Sequence, residues 1–101
     1  MHASVIYHIT TKPQWLLAQK NGYYTSPNWL IEGFIHCCTK NQIAGVLDRY
    51  YSEQQHLLQL SIDILALSVP VKYELSPAVN ELFPHIYGII PLQAIIHVFE
   101  I

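Results

Sequence analysis

Twice in the first half of this chain a strand-like run gives way at once to a T-x-x-Q helix start, and no other feature constrains the fold as tightly. Ser4 to Ile9 alternates, with Val5, Tyr7 and Ile9 on one side and Ile6, His8 and Thr10 on the other. Thr11-Lys12-Pro13-Gln14 follows, a threonine cap with glutamine three residues on and proline in the first turn, where a missing N–H costs little. A helix through Trp15, Leu16, Leu17 and Ala18 should stop at Asn21-Gly22, because glycine readily takes the left-handed conformation that closes a helix. Residues 23–32, with Tyr23, Tyr24, Ser26-Pro27 and Trp29, read as a connection holding one helical turn, its aromatic side chains available to roof a ligand. Gly33 to Cys38 reads as a buried strand, with Phe34, His36 and Cys38 facing one way and Ile35 and Cys37 the other. Thr39 to Gln42 then repeats the capping pattern, and the helix it opens sets Ile43, Val46, Leu47 and Tyr50 on one apolar stripe.

The second half reads mainly as strands. Leu57 to Ile64 alternates, which predicts Leu58, Leu60, Ile62 and Ile64 inward and Gln59, Ser61 and Asp63 on a wet face. Val71 to Leu75 is a shorter strand, and Pro77 and Pro84 predict loop over 76–85. Two further strands are expected at Ile86 to Ile90 and Ala94 to Phe99, separated by Pro91, which cannot donate to a central ladder. Strand, helix, strand, helix and then strands is an α+β order: a single compact domain with a mixed or antiparallel sheet and two helices in its N-terminal half. A length of 101 residues fits one such domain. With 51% hydrophobic and 12% charged residues the chain has the apolar surface to fold rather than stay disordered.

A net charge of -2 supplies no general attraction to nucleic acid. No run approaches the ~18 apolar residues of a spanning helix, and no basic region leads into an apolar stretch at the N-terminus, so a cytoplasmic protein with no membrane partner is expected. Cys37 and Cys38 are adjacent, which suits neither a loop-closing disulfide nor the usual zinc spacing and predicts free, buried thiols. No G-x-S-x-G elbow, P-loop, H-E-x-x-H helix or G-x-G-x-x-G turn occurs.

Three histidines carry the functional signal. His8 lies near a strand end, and His36 three residues before the Thr39 cap, where exposed N–H groups, the imidazole and the threonine hydroxyl could hold an anion. His85 lies between Pro84 and Ile86-Tyr87-Gly88, where glycine would permit close approach of a ligand to the backbone. For each taken alone, a packed histidine with a backbone partner is the plainer reading. Glu74 shares a strand face with Lys72 and could accept a sugar hydroxyl, stabilise positive charge or act as a base; a weak exposed ion pair is the plain alternative. Three imidazoles plus water would make a catalytic zinc site, and a thiolate at Cys38, beside a helix start, would make a nucleophile. His2 and His56 are read as solvent-facing and His97 as a strand residue.

Ile6-Tyr7-His8-Ile9-Thr10, Glu32-Gly33-Phe34-Ile35-His36-Cys37-Cys38-Thr39, Lys72-Tyr73-Glu74 and Phe83-Pro84-His85-Ile86-Tyr87-Gly88, in this order and over nearly the whole chain, resemble the domain-of-unknown-function 952 family. Cys38 departs from the serine of that family's pattern, so no serine hydroxyl acts there. The family in turn resembles a compact ADP-ribosyltransferase fold, including its tRNA 2'-phosphotransferase branch. That likeness implies a nucleotide-like small ligand, with NAD as substrate and no required cofactor. It places Tyr7, His8 and Thr10 against a ribose, His36, Cys38 and Thr39 at a second strand end, and Glu74 third, with His85 and Tyr87 as further ligand contacts. His8, His36 and Glu74 take the catalytic roles, stabilising an oxocarbenium-like transition state as nicotinamide leaves. A non-catalytic ligand-binding module on the same scaffold is the competing reading.

Overall fold

A computed structural model describes residues 4–101, so His2 lies outside the described residues. Strand β1, Val5–Thr11, runs two residues past its expected end and hands over directly to helix α1, Lys12–Asn21. Thr11 Oγ1 accepts from the Gln14 N–H at 3.3 Å, and Gly22 closes the helix at φ 87° with its N–H on the Ala18 carbonyl. Tyr23–Tyr24 is not simple connection but a two-residue strand, β2. The helical turn that follows, α2, is Trp29–Glu32, capped at its C-terminus by Gly33 in the left-handed region at φ 81°. The expected six-residue strand at 33–38 is reduced to β3, Ile35–His36. A 3-10 turn over Lys40–Gln42 then leads into α3, Ile43–Tyr50, whose apolar stripe is only half-buried.

The sheets form from the remainder: β4 is Leu57–Asp63, β5 is Val71–Ser76, β6 is Glu81–Ile86, β7 is Ile90–Pro91 and β8 is Ile95–Glu100. All pairing among the described residues is antiparallel and falls into three small sheets, β1-β4-β8, β2-β7 and β3-β6-β5. The domain is therefore α+β with antiparallel sheets, its two longer helices α1 and α3 in the N-terminal half as expected and the short α2 falling where one helical turn was expected.

Three expectations are corrected by sheet order. β4 lies between β1 and β8, so Ser61 is buried opposite Tyr7 and His97 instead of facing water. Residues 76–85 are not mostly loop, since only a turn at 77–80 separates β5 from β6, with Asn80 at φ 56°. Pro84 is tolerated in the middle strand because its carbonyl accepts from Cys37 N–H at 3.0 Å. The N–H and C=O of a strand residue point the same way, so the missing donor faces β3 just where that strand's pairing ends. The strand expected over Ile86 to Ile90 is broken at 87–89, between β6 and β7. There Gly88 is approached by a neighbouring side chain and not by a ligand: a Cβ would lie 2.3 Å from Val69 Cγ1.

Ile6, Ile35, Leu60, Ile62, Ile86 and Ile90 are fully buried in one core shared by all three sheets. Burial of each side chain is worth about 1.5–3 kcal/mol. Outside this core, among the described residues the backbones of the first and third sheets pair at one bridge, Tyr7 to Cys38, whose N–H groups each donate to the other's carbonyl at 2.8 and 2.7 Å. Pairing goes no further, and a cleft remains beside the bridge.

Candidate functional site

That cleft is a cavity of about 490 Å3. Tyr7, His8 and Ile9 of β1 form one wall, and His36, Cys37 and Cys38 form the next. Phe83 and His85 of β6, with Leu75 and Ser76 of β5, continue it, and Val46, Tyr50 and Tyr51 close it from α3 and the residue beyond. The helix is strongly amphipathic yet buries none of its residues fully, because its apolar face overlooks the cavity. No lysine or arginine lines the space.

The three histidines all reach this cavity but differ in what their nitrogens do. His8 is 7% exposed, with Nδ1 at 2.5 Å from the His36 carbonyl and Nε2 at 2.7 Å from the Tyr24 hydroxyl, which lies 2.8 Å from Thr10 Oγ1. Burial lowers its pKa to about 4 against an ordinary 6.5, so the ring is neutral near pH 7. A carbonyl only accepts, so Nδ1 carries the proton and Nε2 is left as an acceptor. Tyr24 must then donate to Nε2, and the Thr10 hydroxyl donates to Tyr24. Burial pushes the Tyr24 phenol upward, which keeps that proton in place. Both His8 nitrogens are thereby committed inside the protein. In this arrangement His8 has no unpartnered ring nitrogen for proton transfer or for a metal.

His36 and His85 face each other across β3 and β6, ring centroids 5.0 Å apart. Each is held by a carboxylate on one nitrogen only. His36 Nε2 donates to Glu32 Oε2 at 2.8 Å, and His85 Nδ1 donates to Glu74 Oε1 at 2.8 Å. Tyr87 Oη donates to the same Glu74 oxygen, and these two bonds, Tyr87 first, hold the Glu74 carboxyl below its usual range. Phe34 stacks on His85 at 4.2 Å, and Lys72 Nζ sits 4.7 Å above the Tyr87 ring. The site is an imidazole pair oriented from behind by two carboxylates.

Of the residues expected at a site, Tyr7, His8, His36, Cys38 and His85 line the cavity, while Glu74 and Tyr87 adjoin it through His85. Thr10 lies behind His8, and Thr39 is not part of the lining. The Thr39 N–H donates to Gln42 Oε1 at 2.9 Å, so it is not free for an anion at the helix start. Cys38 is buried and its thiol is pushed up to about 12, while burial also raises Cys37, so both remain thiols rather than nucleophilic thiolates. Among the described residues no three His, Cys, Asp or Glu side chains are grouped as a metal would need. Tyr23 and Trp29 do not roof this cavity; they line a separate groove with Leu17 and Leu30. Neither Glu32 nor Tyr24 was expected as a site residue from the sequence, because their partners arrive through Gly33's turn and through tertiary packing.

The fold has solved counterparts. The chain is similar to protein CC0527 from Caulobacter crescentus, whose X-ray crystal structure superposes with a TM-score of 0.84 at 25% identity, over 94% of this chain and 83% of that one. The solution NMR structure of CC0527 matches with a TM-score of 0.81 at 24% identity, over 97% and 84%. No curated protein matches the chain. The family described as "Protein of unknown function (DUF952)" matches residues 9–98, and the chain belongs to it.

Proposed function

We propose that the chain is a small-ligand-binding module whose cavity beside the Tyr7–Cys38 bridge takes a nucleotide-like guest, with NAD or ADP-ribose as the first candidates. The observation that carries this reading is the His36–His85 pair, two imidazoles oriented by Glu32 and Glu74 at an open cavity of about 490 Å3. Pockets of about 300–1,000 Å3 lined by apolar groups with a few directed polar ones suit ligands of this size. The absence of lysine and arginine from the lining favours binding of the base and sugar inside and phosphates outside.

Transfer of ADP-ribose is a second reading, favoured by one feature: Glu74 is charged, anchored and next to the cavity through His85. In that reading Glu74 and His36 act on the ribose, while His8 holds the His36 backbone in place. Thermal denaturation of the purified protein with NAD, ADP-ribose and adenosine tests binding. A ligand at about 100 times its Kd should add about 2.7 kcal/mol, a rise of roughly 10–20 °C for a domain this small. His85→Ala should abolish the response and His97→Ala should leave it intact. Equal responses in both variants, or none to any nucleotide, would remove the nucleotide reading. Nicotinamide release from NAD separates transferase from binder.

A further inference from the structure

The hydrogen-bonding character of the imidazole pair can be worked out atom by atom. A carboxylate accepts and does not donate, so the nitrogens bonded to Glu32 and Glu74, His36 Nε2 and His85 Nδ1, carry the protons. In the neutral rings His36 Nδ1 and His85 Nε2 are then both lone-pair acceptors. Among the described residues no group engages either of them. Two acceptors backed by two carboxylates, at a cavity without lysine or arginine, reject an anionic ligand group. They favour one that donates hydrogen bonds or carries positive charge.

The rest of the lining agrees. Tyr7, Tyr50, Tyr51 and Phe83 bring four aromatic rings to the same cavity, surfaces that favour a planar apolar body and attract cations through their faces. We infer that the cavity selects small organic amines with a planar apolar body, the ammonium or amino group received by His36 Nδ1 and His85 Nε2 and the body lying against the tyrosines and Phe83. This rests on the reading of the cavity as a ligand site and assigns the chemistry of the group that the histidines receive.

The other titratable or charged groups facing the pair are Glu32 from α2, Lys72 and Glu74 from β5, Tyr87 beyond β6, Tyr7 from β1, and Tyr50 and Tyr51 at the end of α3. Glu74 stays charged through its bonds to Tyr87 and His85, while burial keeps Tyr51 and Cys38 neutral.

The test is an NMR titration of the full chain with benzylamine, benzyl alcohol and benzoate at about pH 8. Benzylamine should shift the Val46 and Phe83 resonances saturably, at least about tenfold more tightly than benzoate. Benzoate should be the weakest of the three. Glu74→Gln removes the negative charge behind His85, while its amide oxygen can still accept from Nδ1 and from Tyr87. It should weaken benzylamine and spare benzyl alcohol, whose retained response shows that the half-buried position 74 tolerates the change. His85→Ala should weaken benzylamine more strongly. Benzoate binding as tightly as benzylamine or more tightly, or no shift at Val46 or Phe83 with any of the three, overturns the amine assignment. The cavity as a nucleotide site then stands or falls separately, on the thermal response to NAD and ADP-ribose.

Discussion

His8 shows how burial changes what a histidine does. Between Tyr24 and the His36 carbonyl it acts as a rivet, neutral down to about pH 4. In the unfolded chain the same ring takes up a proton below about 6.5, so between these values the unfolded state binds more protons than the folded one. Stability from this residue is full above pH 6.5 and is lost as the pH falls toward 4, a total of about 3 kcal/mol. Urea unfolding of the native protein and His8→Gln across that range should show the native curve falling and the variant's difference closing by this amount. Parallel curves would contradict the neutral assignment. Gly88 gives a second residue-scale expectation: Gly88→Ala drives a methyl into Val69 and should cost about 1–3 kcal/mol, with part of it recovered in the double variant with Val69→Ala, which removes the Cγ contacts but keeps the Cβ at 2.7 Å. Equal losses in the single and double variants would locate the strain elsewhere.

At the scale of elements, what was legible in the sequence was local. Thr11 with Gln14 and Gly22 mark α1, and the stripe at Ile43, Val46, Leu47 and Tyr50 marks α3, because caps and periodicity depend on neighbours within a few residues. β6 was hidden because Pro84 is permitted only by where β3 stops, and Ser61 looked solvent-facing because nothing local reveals that β4 has a strand on each side. The histidine segments were visible as candidates, but which ring is committed inward depends on Tyr24, 16 residues from His8, and on a backbone carbonyl 28 residues away. The half-buried state of α3 likewise follows from the cavity and not from its own pattern. Val46→Ala should therefore cost under about 1.5 kcal/mol in urea unfolding, against about 2–5 for Ile86→Ala in the core. Equal costs would mean that α3 is packed as a core helix and does not wall a cavity.

For the whole molecule, the governing fact is that two three-stranded sheets share a core yet, among the described residues, pair backbone to backbone at one bridge, Tyr7 to Cys38, leaving a cavity where β1, β3 and β6 part. His36 and His85 sit at that parting with their remaining nitrogens uncommitted among the described residues, while His8 fastens the wall behind them. The most direct measurement is a long-range nitrogen-15 NMR spectrum of the histidine rings, recorded as NAD, ADP-ribose and benzylamine are added in turn. The account predicts that His36 and His85 shift together and saturably with at least one of them, while His8 keeps its proton on Nδ1 and His97 does not move. Shifts confined to His8 or His97, or four rings indifferent to every ligand, would contradict it.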